Sequence, residues 1–172
     1  MIESATTSTP PWRAGVIRDF AASELFERTF QDGMDLVEET AAYLDGAGRQ
    51  DSKLLSRNAA LAYASQSMRL TTRLMQVASW LLVQRAVREG GMAPEAACAE
   101  SYRLGAEHDP DGGARSLELP APLNVLLDRS ERLFERVRHL DRRMYVEAAP
   151  EIEPAHPIQE QLERLRNAFG AG

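Results

Sequence analysis

The chain has 172 residues, a net charge of −6 and one cysteine. That length suits one domain with loose ends, and a pI near 5.2 argues against a nucleic-acid or anionic-membrane surface. Cys98 alone excludes an internal disulfide framework and fits a reducing cytoplasm. The opening MIESATTSTPPW lacks the basic start and apolar core of a secretory signal. Aromatics are scarce, alanine is abundant and no stretch alternates Val, Ile and Thr, so the expected class is all-α.

Residues 1–20 are rich in Ser, Thr and Pro and read as a disordered arm; Trp12, Val16, Ile17 and Phe20 are its apolar exceptions. A first helix is expected over 24–45. Ser23 is its N-cap, Glu24 and Glu27 favour the positive end of the dipole, and Gly46 suits its C-terminal exit. Phe26, Phe30, Gly33 or Met34, Val37, Ala41 and Leu44 form its apolar stripe, while Asp32, Asp35, Glu38 and Glu39 cover the other side. The short link 46–50 implies an antiparallel hairpin into a second helix, 51–89, capped by Asp51 or Ser52. Residues 24–50 carry seven acids and two bases, whereas 51–89 carry two acids and six bases, which suits that pairing.

Within the second helix, eight of the ten residues from Leu74 to Val83 are apolar and leave no polar stripe. The stretch is too short to span a bilayer, and Arg69, Arg73 and Arg85 lie close by. A 22-residue first helix spans roughly 33 Å and would cover its partner only to about Thr72. On this reading Leu74–Val83 overhangs the hairpin and requires another cover.

An acidic loop is expected over 90–121, with a short helical turn led by Pro94. The Asp109-Pro-Asp-Gly fragment resembles a calcium loop, but its twelfth position is Pro120, where a bidentate Glu is needed, and the match fails. The third helix, 122–147, has the clearest period: Leu123, Leu126, Ser130, Leu133, Val137, Leu140 and Met144, widened by Leu127 and Phe134. Residues 148–172 form a proline-rich acidic tail. Ile158, Leu162, Leu165 and Phe169 recur in it at helical spacing, a candidate docking seam.

Phosphate-binding glycine loops, a nucleophile elbow, H-E-x-x-H and C-x-x-C are all missing, and the three histidines are scattered. The carboxylates of the first helix lack the Glu-x-x-His copies of a di-metal bundle. No catalytic residue, metal site or cofactor is therefore assigned, and the chain is not expected to be an enzyme.

Two stretches, RTFQDGMDLVEETAAYLDGAGRQ and LLSRNAALAYASQSMRLTTRLMQVASWLLVQRAVREG, resemble the alphaproteobacterial RcdA family, regulators of CtrA degradation. The resemblance is strong over about 22–105 and looser over the third helix. It implies an antiparallel three-helix bundle that forms a homodimer. It also implies an adaptor that works with CpdR and PopA to deliver clients such as CtrA to the ClpXP protease, in the cytoplasm and with recruitment to the cell pole. The competing expectation is a helical scaffold unrelated to proteolysis. Dimerisation would supply the cover that the overhang requires, which makes Leu74, Val77, Trp80, Leu81 and Val87 the candidate interface.

Overall fold

The protein, seen as a computed structural model, is described over residues 10–106 and 118–147. Among these residues every regular element is helical. They are α1 (Pro11–Ala21), α2 (Glu24–Asp45), α3 (Ala47–Lys53), α4 (Arg57–Arg88), α5 (Pro94–Ala97) and α6 (Ala121–Arg142). A 3-10 turn, Glu100–Tyr102, follows α5, and a π-helical turn, Arg143–Glu147, prolongs α6.

The first correction concerns the arm. From Pro11 onward it is helical, because Pro11 supplies the preset φ of a first helical position and Ile17 and Ala21 are fully buried. Phe20 sits edge-on to Phe26 with ring centroids 5.7 Å apart, and tilted against Trp80 at 5.8 Å. The Pro/Ser/Thr composition concealed a helix whose buried face is supplied by its last eight residues, through Ala14, Ile17 and Ala21.

The second helix also differs from expectation. Ser23 caps α2 as the sequence indicates, accepting from the Phe26 amide at 3.1 Å. The cap of the long helix, however, is Ser56, which accepts from the Ala59 amide at 3.2 Å. Asp51 instead accepts a hydrogen bond from the Tyr43 hydroxyl at 3.1 Å, inside a separate short helix. Gly48 lets that helix fold tightly, since a Cβ there would lie 2.8 Å from the Tyr43 carbonyl oxygen.

Spending residues 47–56 on α3 and a turn slides α2 along α4. Glu27 pairs with Arg88 across the two helices, and the Arg85 guanidinium lies 4.7 Å from the centre of the Phe30 ring. Gly33 sits against Leu81, where a Cβ would come within 2.7 Å of Leu81 Cδ1. α2 therefore runs antiparallel to α4 as far as its C-terminal end, and the overhang beyond Thr72 does not exist.

α6 packs with the face that its period predicts: Leu123, Leu126, Leu127, Ser130, Leu133, Phe134, Val137 and Leu140 are all buried. It runs parallel to α4. Ser56 donates to Glu118 at 2.8 Å, Arg73 to Ser130 at 2.8 Å and Trp80 to Asp141 at 3.0 Å, in the same order along both helices. α2 is antiparallel to α6 too, through Asp32–Arg136 and Glu39–Arg129. The α-helix stops at Arg142, and the wider π turn places the neighbours Met144 and Tyr145 both inside.

Because Ile17 is completely enclosed, Ile17→Ala is expected to lower unfolding free energy by about 2–5 kcal/mol. Denaturant titration checks this; a midpoint equal to wild type would mean that α1 adds nothing to the core.

Candidate interaction surface on the long helix

The five residues selected from sequence as an interface lie inside a single chain. Leu74 is 4% exposed, Val77 1%, Trp80 2%, Leu81 0% and Val87 8%. This is a correction with a clear cause: α1, α2 and α6 converge on this part of α4 and cover it without a second copy. The tail residues Ile158, Leu162, Leu165 and Phe169 lie outside the described residues.

The opposite side of α4 carries the unexpected feature. Leu61, Met68, Met75 and Leu82 are 66%, 72%, 65% and 52% exposed and recur every seventh residue. At 100° per residue that spacing drifts by only about 20° per step, so the four form one nearly straight line. Leu54, in the turn before α4, prolongs the series and is 86% exposed. The exposed residues around the line are Asn58, Ala64, Ser65, Thr71, Thr72 and Ser79; between Asn58 and Leu82 no exposed residue of α4 is charged. An ordinary solvent face looks different, as α6 shows with exposed Arg132, Glu135, Arg136, Arg138 and His139.

Two hollows flank Met75. One, of about 280 Å³, lies between α2 and α4 and is lined by Val37, Thr40, Ala41, Leu44, Asp45, Thr71, Leu74, Met75 and Ala78. Val37, Ala41 and Leu44, expected in the core stripe, line it; Val37 still packs on the edge of the core, while α2 turns Thr29, Gly33, Leu36 and Thr40 inward. The other, of about 460 Å³, is bounded by Met75, Gln76, Ser79, Trp80 and Val83 of α4 and by the segment Ser101–Gly105. A third depression, between α2 and α6, is lined by Asp32, Asp35, Arg129, Arg132 and Arg136. Its Asp32–Arg136 pair is internal, and its charged lining differs from the apolar α4 line.

The wall formed by 101–105 is held by one buried carboxylate. Asp141, 2% exposed, accepts from Trp80 Nε1 at 3.0 Å and from the Leu104 amide at 3.1 Å on one oxygen. On the other it accepts from Arg103 Nη2 at 3.1 Å and Nε at 3.3 Å. Trp80 belongs to α4 and the other donors to the adjacent residues Arg103 and Leu104, so this carboxylate fastens the returning segment to α4. Nearby, the Tyr145 hydroxyl donates to the Ala97 carbonyl at 2.8 Å, and burial pushes its pKa up to about 12. Cys98 is buried beside this joint, and desolvation raises its thiol pKa. No grouping of three or more metal-ligating side chains occurs among the described residues. No helix among them is long and apolar enough to cross a membrane.

Comparisons with known proteins place this arrangement. Residues 17–169 match the family model described as "Protein of unknown function (DUF1465)". The crystal structure of RcdA from Caulobacter crescentus CB15 is 71% identical, with a TM-score of 0.64, and the match covers 75% of this chain and 98% of that one. The chain belongs to the RcdA family. No curated protein sequence matches it. The RcdA match establishes the all-α fold, and the family match extends past the bundle to include the positions of Ile158 and Phe169.

The exposed line was legible in principle. Leu61, Met68, Met75 and Leu82 have an unbroken seven-residue spacing, and the intervening positions on that side lack charge. The denser apolar cluster at 74–83 drew the assignment to the side of the helix that is buried within the chain.

Asp141→Asn removes the charge facing Arg103 and sets an amide N–H against donors. Breaking a buried pair costs about 3–5 kcal/mol, and the lower end applies because Arg103 is partly exposed. The expected result is a lower unfolding midpoint with a loss of near-ultraviolet signal from Trp80; no change in either would mean that the segment is held elsewhere.

Proposed function

We propose that the protein is a non-enzymatic adaptor that, with CpdR and PopA, delivers cell-cycle regulators such as CtrA to the ClpXP protease. The observation that carries the reading is the 71% identity to RcdA over nearly the whole of that chain. The described structure supports it physically: α4 presents an ordered, exposed apolar line with no exposed charge between Asn58 and Leu82. An adaptor of this kind acts by differential affinity and tethering, which raise the client's effective concentration at the protease. Its place of action is the cytoplasm, with recruitment to the cell pole.

In this reading the protein is a homodimer, and its interface is the outer face of α4, not the buried cluster at 74–83. Two copies laid antiparallel about a two-fold axis near Thr71 and Thr72 bring Leu61 of one to Leu82 of the other and Met68 to Met75. Ala64, Ser65, Thr71 and Ser79 let the two backbones approach closely, and the missing charge removes the usual desolvation cost. The competing reading, a scaffold unrelated to proteolysis, shares this assembly and differs only in what the dimer recruits.

Two measurements test the proposal. Adding the protein to CpdR-primed ClpXP with PopA should accelerate CtrA degradation; an unchanged rate, together with no capture of CpdR-primed ClpX, would favour the scaffold. Met68→Asp with Met75→Asp should give a folded monomer in sedimentation velocity, with unaltered helicity because both side chains are exposed. A persistent dimer would place the interface elsewhere.

A further inference from the structure

Between α2 and α4 the bundle carries an apolar groove whose rim is charged on one side only. We propose that this groove receives an amphipathic helix of a partner protein, with apolar anchors on its inner face and Lys or Arg along the flank beside α2. The groove shares Thr71 and Met75 with the dimer face, but its other bank belongs to α2, and the proposal does not depend on the dimer.

The shape of the groove selects a helix. Val37, Ala41 and Leu44 form one bank of its hollow and Thr71, Met75 and Ala78 the other. The Gly33–Leu81 contact sets the antiparallel register, which brings Val37 level with Ala78 and Leu44 with Thr71. Ala41, exposed between two larger residues, leaves a hole of the kind that accepts a knob from a facing helix. Each bank spans seven positions, roughly 10 Å or two helical turns. A helix laid along it meets the two banks with residues at i, i+4 and i+7.

Charge selects the sign of the flank. α2 contains seven acids: Glu24, Glu27, Asp32, Asp35, Glu38, Glu39 and Asp45. Five of them pair with arginines within the chain. Glu38 has no ion-pair partner among the described residues, is exposed, and lies one turn from Ala41 and two turns from Asp45, whose side chain is in the groove wall. Across the groove, α4 has no exposed charge between Asn58 and Leu82. An occupant therefore meets negative potential on the α2 side and none on the α4 side, which favours a cationic flank there.

The floor of the groove adds a polar group in want of a partner. Thr40 lines the hollow and is 4% exposed, and among the described residues its hydroxyl oxygen has no hydrogen-bond partner. Such a hydroxyl costs the free chain about 1–3 kcal/mol. Its oxygen and methyl sit on the same carbon, so one χ1 step changes which of them faces the hollow. A donor on an arriving side chain would satisfy it.

A second copy of this chain is a poorer match. The exposed face of its α4 is uncharged, that of its α2 is acidic, and the exposed positions of its α6 are mostly charged rather than apolar.

The test uses the full chain and a labelled peptide of about 18 residues, long enough to be helical, with Leu at i, i+4 and i+7 spacing, Lys along one flank and Ala elsewhere. In fluorescence anisotropy at low salt it should bind saturably, and about tenfold more tightly than the same peptide with Glu in place of Lys. Glu38→Lys should remove that preference. Ala41→Trp, which fills the hole from an exposed position, should abolish binding of the Lys peptide. Thr40→Val should raise the unfolding midpoint of the free protein yet weaken the Lys peptide about fivefold. Equal affinity for the two peptides, no saturable binding, or an affinity unchanged by Ala41→Trp or Thr40→Val would overturn the proposal. Sedimentation velocity of Ala41→Trp keeps the two readings apart. Loss of a dimer in this variant would mean that a second copy fills the groove, which also overturns the proposal. A wild-type chain that is monomeric throughout overturns the dimer reading alone and leaves the peptide result standing.

Discussion

The start of the long helix governs what the rest of the chain can do. Because Ser56 supplies the cap and residues 47–53 form their own short helix, α2 meets α4 with Gly33 on Leu81 and Glu27 on Arg88. A helix begun at Asp51 would have shifted that register by several turns and left the apolar stretch around Trp80 open. With the register as it is, α2, α1 and α6 close over Leu74, Val77, Trp80 and Leu81 within one chain. The short helix and turn between α2 and α4 thus set the register that closes the core within one chain.

Closing the core on one side of α4 gives the other side its meaning. The helix has two apolar faces: one buried, the other an exposed line of Leu and Met surrounded by Ala, Ser and Thr. A monomer gains nothing from the second face, since each exposed large side chain forgoes about 1.5–3 kcal/mol of burial. Such a surface is informative when it is contiguous and ordered. Here it runs along a rigid helix packed on its opposite side, so it presents a preformed groove-and-ridge pattern to any helix of matching period.

The return of the chain from α5 to α6 adds a second layer of control. Asp141 joins Trp80, Arg103 and Leu104, and so ties the wall of one hollow beside Met75 to the buried centre of the bundle. Core packing and the shape of the exposed face are therefore coupled through one carboxylate. Nothing about the spacing of Asp141 in sequence announces this role: it sits among alternating Arg and Glu residues that read as solvent-facing lacing.

What the sequence by itself determined was local and periodic: the all-α class, the Ser23 cap, and the complete inward stripe of α6 from Leu123 to Met144. These follow from side chains within a turn or two of one another, where 3.6-residue geometry decides the outcome. Tertiary structure alone decided that Pro11–Ala21 is a helix, that α6 runs parallel to α4, and which side of α4 remains open. Each depends on partners far apart in sequence: Phe20 needs Trp80, Ser56 meets Glu118, and Trp80 is hidden only because three other helices reach it. A helix apolar on every side says that it has neighbours; only the register of those neighbours says which side they leave free.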